Sequence, residues 1–164
     1  MAKQMGNGFP LAAVATTKEI ADNFKEHGKT TFTTYGGNPV AMAAGREVLR
    51  VIEEEKLMEN CNEMGKLFME GMKDIQARYE QVGDVRGSGL MIGIEIVKDR
   101  ESKTPDPALF TKVFEKTKEN GVLLGKGGRF GNVFRFQPPM CINKHDIEFG
   151  LDALDKALKD SINE

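Results

Sequence analysis

Apolar residues recur at helical spacing in two stretches of the first half of the chain. The positions that lie three or four residues apart are Ala41, Ala44, Val48, Val51 and Ile52, and then Cys61, Met64, Phe68, Met72 and Ile75. This spacing places each set on one face of a helix. Asn38 suits the N-cap of the first helix and Pro39 its first turn, and a break near Glu55-Lys56 separates the two. The pattern predicts two consecutive amphipathic helices.

The period of the pattern changes to two beyond Val82. Leu90, Ile92, Ile94 and Ile96 alternate with other residues, which is typical of a half-buried strand. The other predicted strands are Leu11–Thr16, Val122–Leu124 and Val133–Gln137. The other predicted helices are Lys18–Lys25 after the capping residue Thr17, Leu109–Asn120 before Gly121, and a C-terminal helix with apolar positions from Ile147 to Ile162.

Strands and helices alternate along the chain without strict βαβ repetition, which predicts an α/β part followed by an α+β part. We expect residues 1–78 to be the end of one domain with a connecting helix pair. Residues 79–164 are expected to form a small α+β domain. The chain begins at a Gly6-Asn7-Gly8 turn close to an apolar run, so we expect it to start inside a larger protein.

Composition excludes several classes of function. The 23 basic and 25 acidic residues give a net charge of −2, which argues against a nucleic-acid partner. No apolar run is long enough to predict a membrane span. Cys61 and Cys141 are too far apart for a CxxC motif and are expected to be reduced core thiols, and His27 and His145 lie in polar surroundings. We therefore expect no metal site.

Lys3 is the first candidate for chemistry. It lies beside the flexible Gly6-Asn7-Gly8 turn and just before an apolar run. A lysine amine in such a place can bond a carbonyl-bearing cofactor. The alternative is a solvated surface lysine.

The segment from Thr33 to Pro39 is the second candidate. Hydroxyl groups and backbone N–H groups converge there on a helix start, where we expect free N–H groups and the positive end of the helix dipole to form an anion site. The alternative is an ordinary loop before a capped helix.

Arg135 is the third candidate, because it stands in the apolar strand before Pro138-Pro139. A planar guanidinium fits a carboxylate with two parallel hydrogen bonds. The alternative is a structural ion pair with one of the 25 acidic residues.

Four strings combine these candidates in a fixed order across nearly the whole chain. They are Met1-Ala2-Lys3 with Gly6-Asn7-Gly8-Phe9-Pro10-Leu11, then Thr34-Tyr35-Gly36-Gly37-Asn38-Pro39, then the run from Val82 to Gly93, and finally Phe134-Arg135-Phe136 with Pro138-Pro139. In these strings the chain resembles the class III (omega) pyridoxal-phosphate-dependent aminotransferases. Within that family it is most similar to mitochondrial members that pair alanine with glyoxylate.

The resemblance implies a role for each candidate. Lys3 matches the lysine that holds pyridoxal 5'-phosphate covalently and later shuttles a proton. Thr34 matches the threonine that reaches the cofactor phosphate of the neighbouring subunit, and Arg135 matches the arginine that grips the substrate carboxylate. Gln4 stands where the family usually has a small residue.

The fold implied by the resemblance is the C-terminal part of a fold type I transferase: the end of the large domain, connecting helices and the small domain. The implied reaction moves an amino group from an amino acid such as alanine to a keto acid such as glyoxylate or pyruvate. The aspartate that pairs with the pyridine nitrogen, the stacking aromatic residue and the phosphate cup belong to the family's N-terminal half, so the isolated chain is expected to be inactive. A homodimer or larger complex and a mitochondrial location are also implied. The alternatives are a non-catalytic assembly subunit and a small anion- or cofactor-binding module.

Overall fold

The computed structural model describes residues 1–163, which form two compact units, the first covering Met1–Lys56 and the second beginning at Leu57. The first unit contains a 3₁₀ turn and two helices: Lys3–Gly6, α1 (Lys18–Glu26) and α2 (Pro39–Glu54). Thr17 and Asn38 cap α1 and α2 through their side-chain oxygens, as the sequence predicts. Each helix therefore begins where a short polar side chain can accept a backbone N–H.

The predicted strand Leu11–Thr16 is wrong. Residues 10–17 have no regular secondary structure, because this unit contains no second strand to pair with them. Leu11 instead packs on α2 at Gly45, where an added β-carbon would overlap the Leu11 side chain. Ala41 and Gly45, four residues apart, are the buried positions of that helix.

The second unit contains the helices and strands of an α+β domain. They are α3 (Leu57–Arg78), β1 (Val82–Ser88), β2 (Met91–Ile96), α4 (Pro107–Glu119), β3 (Gly125–Gly127), β4 (Val133–Phe136) and α5 (Lys144–Ile162). The strands form an antiparallel sheet in the order β1-β2-β4-β3. The helix α4 ends before Gly121, whose φ of +91° suits the C′ position expected for it.

One predicted strand is displaced. Residues 122–124 are not in a strand, and β3 begins at Gly125. The reason is the register with β4, which pairs Gly125 with Arg135 and Gly127 with Val133. Long-range pairing sets this boundary, and the local apolar run does not.

Helices cover one face of the sheet. That face contributes Ile92, Ile94, Phe134 and Phe136 to a core shared with the helices α3, α4 and α5. Phe136 stacks on Phe68 of α3 with ring centroids 3.7 Å apart. The alternate positions of the strands point to the other face, where Met91 is 68% exposed.

The helix α3 belongs to the second compact unit, since it packs against β1 and α5. The compact units thus divide after Lys56, whose φ of +52° marks the break between α2 and α3. The division at residues 78 and 79 remains a prediction about the domains of a longer transferase.

Three sequence expectations concern chemistry outside the candidate site. Cys61 is partly buried, which raises the pKa of its thiol, but Cys141 is exposed, so the expectation of two core thiols is wrong for Cys141. The described residues contain no cluster of side chains that could hold a metal ion. None of the helices formed by residues 1–163 combines the length and apolar character that a bilayer crossing needs.

A close backbone approach joins α3 to the turn between β1 and β2. A β-carbon at Gly65 would overlap the carbonyl group of Gly89, whereas a β-carbon at Gly150 of α5 would have no neighbour within 4 Å. We predict that Gly65→Ala lowers the free energy of unfolding by roughly 1–3 kcal/mol through overpacking. Gly150→Ala should raise it by up to about 1 kcal/mol, because alanine favours helix more than glycine does.

Chemical denaturation of the two variants measures this contrast. The same substitution in two helices should act with opposite signs. Equal effects would contradict the close approach of α3 to the turn at Gly89.

Candidate active site

Lys3 has an unusual backbone. Its φ is +62°, a left-handed conformation that costs a residue other than glycine about 1–3 kcal/mol. The turn is fixed by hydrogen bonds from the Asn7 N–H to the Gln4 carbonyl at 2.9 Å and from the Phe9 N–H to the Gly6 carbonyl at 3.1 Å. The Lys3 side chain is exposed, and among residues 1–163 its amine has neither a hydrogen bond nor an ion pair. The amine is free to bond another group.

Thr34 lies in the exposed turn that leads into α2. The Gly36 N–H donates to the Thr33 carbonyl at 3.0 Å, and Gly37 adopts a φ of +72°. Within the described chain the Thr34 hydroxyl has no hydrogen-bond partner. The turn thus presents this hydroxyl to solvent.

The helix start beside Thr34 is capped by its own residues. The Val40 and Ala41 N–H groups donate to Asn38 Oδ1 at 3.0 and 3.2 Å, and the Met42 N–H donates to the Asn38 carbonyl. Pro39 has no N–H to offer. The expectation of free N–H groups at this helix start is therefore wrong, and an anion at this turn must rely on Thr34 and the loop.

Arg135 lies in β4 on the sheet face away from the helices. Its neighbours Phe134 and Phe136 are buried, whereas Arg135 is exposed. It pairs with Gly93 of β2 on one side and Gly125 of β3 on the other, so neither neighbour places a side chain beside it. Among the described residues no carboxylate lies within ion-pair distance, and the expected alternative of a structural ion pair is not formed there.

Arg86 occupies the same row of the sheet and differs in its electrostatics. It pairs with Gly93 across β1 and β2, and its guanidinium donates to Asp84 at 2.6 Å and to Glu95 at 2.8 Å. The hydrogen bond to Asp84, and next the one to Glu95, raise the pKa of Arg86 above its usual value. Arg86 is a paired structural cation, and Arg135 is an unpaired one.

The two compact units divide the candidates. Lys3 and Thr34 lie in the first unit, and Arg135 lies in the second. Gly125, which pairs with Arg135 from β3, is not among the site residues predicted from the sequence. The signal that could have found it is a glycine beside a strand pattern, which marks a place where another group approaches the backbone closely.

The difference between the two arginines predicts different reactivity toward phenylglyoxal, a dicarbonyl compound whose carbonyl carbons are attacked by the neutral guanidine. Arg135 should be modified several-fold faster than Arg86, because the carboxylates beside Arg86 hold its guanidinium in the charged form. Both side chains are exposed, so accessibility alone does not separate them. Peptide mass spectrometry over a time course measures the two rates, and faster modification of Arg86 would contradict the assignment.

Comparison with known proteins extends these observations. The model of the family "Aminotransferase class-III" matches residues 1–158. The chain is 49% identical over 158 residues to alanine–glyoxylate aminotransferase 2 homolog 2, mitochondrial, of Arabidopsis thaliana, covering 96% of this chain and 33% of that protein. It is 44% identical to ethanolamine-phosphate phospho-lyase homolog 1 of Caenorhabditis elegans, covering 96% of this chain and 34% of that protein.

A solved structure agrees with the sequence relatives. A phospholyase from Arthrobacter in complex with phosphoethanolamine superposes with a TM-score of 0.86 at 39% identity, covering 94% of this chain and 36% of that one. The chain thus spans about a third of the length of the relatives it matches. The family resemblance and the transferase fold class expected from the sequence are confirmed, and the chain belongs to the class III aminotransferases.

Proposed function

We propose that this chain is the C-terminal part of a transaminase that moves an amino group from an amino acid such as alanine to a keto acid such as glyoxylate or pyruvate. The observation that carries the proposal is Arg135, an exposed guanidinium on an open sheet face with no carboxylate partner in residues 1–163. A substrate carboxylate would supply the missing anion. The family's relatives with alanine–glyoxylate aminotransferase names support this choice of substrates.

The family depends on pyridoxal 5'-phosphate, and two residues of the first unit fit that cofactor chemically. The cofactor offers an aldehyde and a phosphate. Lys3 offers an unpaired amine on a left-handed backbone, and Thr34 offers an unpaired hydroxyl in a turn. The amine suits the aldehyde and the hydroxyl suits the phosphate, so Lys3 would hold the cofactor of its own subunit and Thr34 would hold that of the neighbouring subunit.

When bound, the cofactor supplies an electron sink for the bonds of the substrate α-carbon. The residues of this chain would then bind and orient. The Lys3 amine takes the proton from the α-carbon and returns it, acting first as base and then as acid. Arg135 would donate two parallel hydrogen bonds to the substrate carboxylate, which would fix the orientation of the substrate.

The remaining parts of the proposal concern assembly and location. Ile20 and Phe24, four residues apart on α1, are 60% and 43% exposed, and Phe32 is 91% exposed. Apolar surface of this kind favours contact with further polypeptide. We propose a homodimer or larger complex in which Thr34 serves the cofactor phosphate of the neighbouring subunit, and a mitochondrial location like that named for several relatives.

A second candidate reaction is phospho-lyase activity on ethanolamine phosphate. The relative with a phospho-lyase name is 44% identical, close to the 45% of the human protein named alanine–glyoxylate aminotransferase 2. A guanidinium binds phosphate as well as it binds carboxylate. Arg135 therefore fits either substrate, and the choice is open to experiment.

The role of Lys3 predicts a covalent adduct. The full-length polypeptide, incubated with pyridoxal 5'-phosphate and reduced with sodium borohydride, should carry the pyridoxyl label on Lys3, as peptide mapping would show. Lys3→Arg should abolish the label, and the matched variant Lys29→Arg should keep it. Labels scattered over many lysines would contradict the proposal.

The role of Arg135 predicts a substrate-binding defect. In the full-length enzyme, alanine and glyoxylate should yield pyruvate and glycine, and Arg135→Ala should raise the KM for alanine roughly 10-fold to 100-fold through the lost charged hydrogen bonds. The KM of Arg135→Lys should lie between those of the wild type and Arg135→Ala, because lysine keeps the positive charge but cannot donate two parallel hydrogen bonds.

Product analysis separates the candidates. Phosphate release from ethanolamine phosphate without pyruvate formation from alanine would favour the phospho-lyase. The absence of both products would favour a non-catalytic assembly subunit.

A further inference from the structure

The Arg135 side chain lies against the backbone of β3. A β-carbon added to Gly127 would stand 3.0 Å from Arg135 Cδ, 3.2 Å from Cγ and 3.5 Å from Nε. One added to Gly125 would stand 3.2 Å from Arg135 Cβ and 3.3 Å from Nε. The shortest of these distances at each glycine, 3.0 Å at Gly127 and 3.2 Å at Gly125, is tighter than an ordinary contact between two carbon atoms. The stem of the arginine thus occupies the space that two missing side chains leave.

The opposite neighbour of Arg135 does not share this contact. A β-carbon at Gly93 of β2 would meet Val133 Cγ1 at 3.5 Å and Arg86 at 3.9 Å or more, and it would not touch Arg135. The arginine leans onto β3 and away from β2. Between the two glycines, Lys126 points to the helix side of the sheet, with its Nζ 5.4 Å from the centre of the Phe110 ring.

We propose that Gly125 and Gly127 are positioning residues for Arg135. Because neither has a side chain, they leave a shallow groove on β3, and the Arg135 stem packs in this groove so that the guanidinium points toward the substrate carboxylate. The inference rests on the proposed role of Arg135. No ion pair or hydrogen bond within residues 1–163 fixes that guanidinium, so the shape of the groove sets the direction of the side chain. A long side chain amplifies a shift near its stem into a larger shift at its tip.

Gly127 is the sharper site for a test. It has no left-handed φ, so alanine can adopt its backbone, and the three nearest atoms are all in the flexible Arg135 side chain. A β-carbon added at Gly125 would also stand 3.2 Å from the Arg135 carbonyl oxygen, so a side chain there would disturb the strand pairing as well. Gly93→Ala is the matched control, since it changes the same row of the sheet without touching Arg135.

Two measurements on the full-length protein test the inference. The first is a thermal double-mutant cycle: Gly127→Ala should lower the Tm in the wild-type background and have a clearly smaller effect in Arg135→Ala, where the overlapping stem is gone. The second is inhibition by propionate, a carboxylate without a reacting group. Gly127→Ala should raise the inhibition constant about fivefold, because bidentate recognition depends on direction. Gly93→Ala should have the same effect on the Tm in both backgrounds and should leave the inhibition constant unchanged.

The outcomes separate this inference from the proposed function. Equal effects of Gly127→Ala in both backgrounds overturn the contact and the inference with it. If Arg135→Ala weakens propionate binding and Gly127→Ala does not, the positioning role is overturned while the role of Arg135 stands. If Arg135→Ala itself leaves propionate binding unchanged, the proposed function of Arg135 fails first. The thermal cycle remains informative even where Gly127→Ala is poorly active.

Discussion

The four-stranded sheet has helices on one face, and this asymmetry decides which side chains are available for chemistry. In β4, Phe134 and Phe136 are buried against the helices, so Arg135 between them must point to the opposite face. A shift of one residue in the pairing would bury the guanidinium and expose the two rings, at a large cost in free energy. The hydrophobic core therefore fixes the direction of a polar residue that it does not contain.

The open face also shows how one row of a sheet can hold two arginines in different states. Arg86 and Arg135 both pair with Gly93, from opposite sides. Asp84 and Glu95 neutralise Arg86, and no described carboxylate does so for Arg135. An unneutralised cation favours binding of an external anion, since binding requires no internal ion pair to be broken. The unpaired state of Arg135 is the one that the proposed binding of a carboxylate requires.

Local signals in the sequence predict much of this fold. The caps Thr17 and Asn38, the C′ glycine Gly121 and the alternation around Ile94 act within a few residues, and the structure confirms each. The predicted strand Leu11–Thr16 fails because a strand needs a partner, which no local pattern can supply. Pairing across the sheet also moves β3 to Gly125, beyond the apolar run that suggested it.

The candidate residues show which properties of a site the sequence alone does not predict. The specific roles expected for Lys3 and Thr34 come from the family resemblance, since an exposed lysine and a loop threonine are common. The pairing state of Arg135 could not be read from the chain, because the choice among 25 acidic residues depends on which strands meet. The glycines beside it look like turn residues until β3 and β4 are paired. A glycine next to a functional side chain therefore gains its meaning from the register, and that register is fixed by the apolar face on the other side of the sheet.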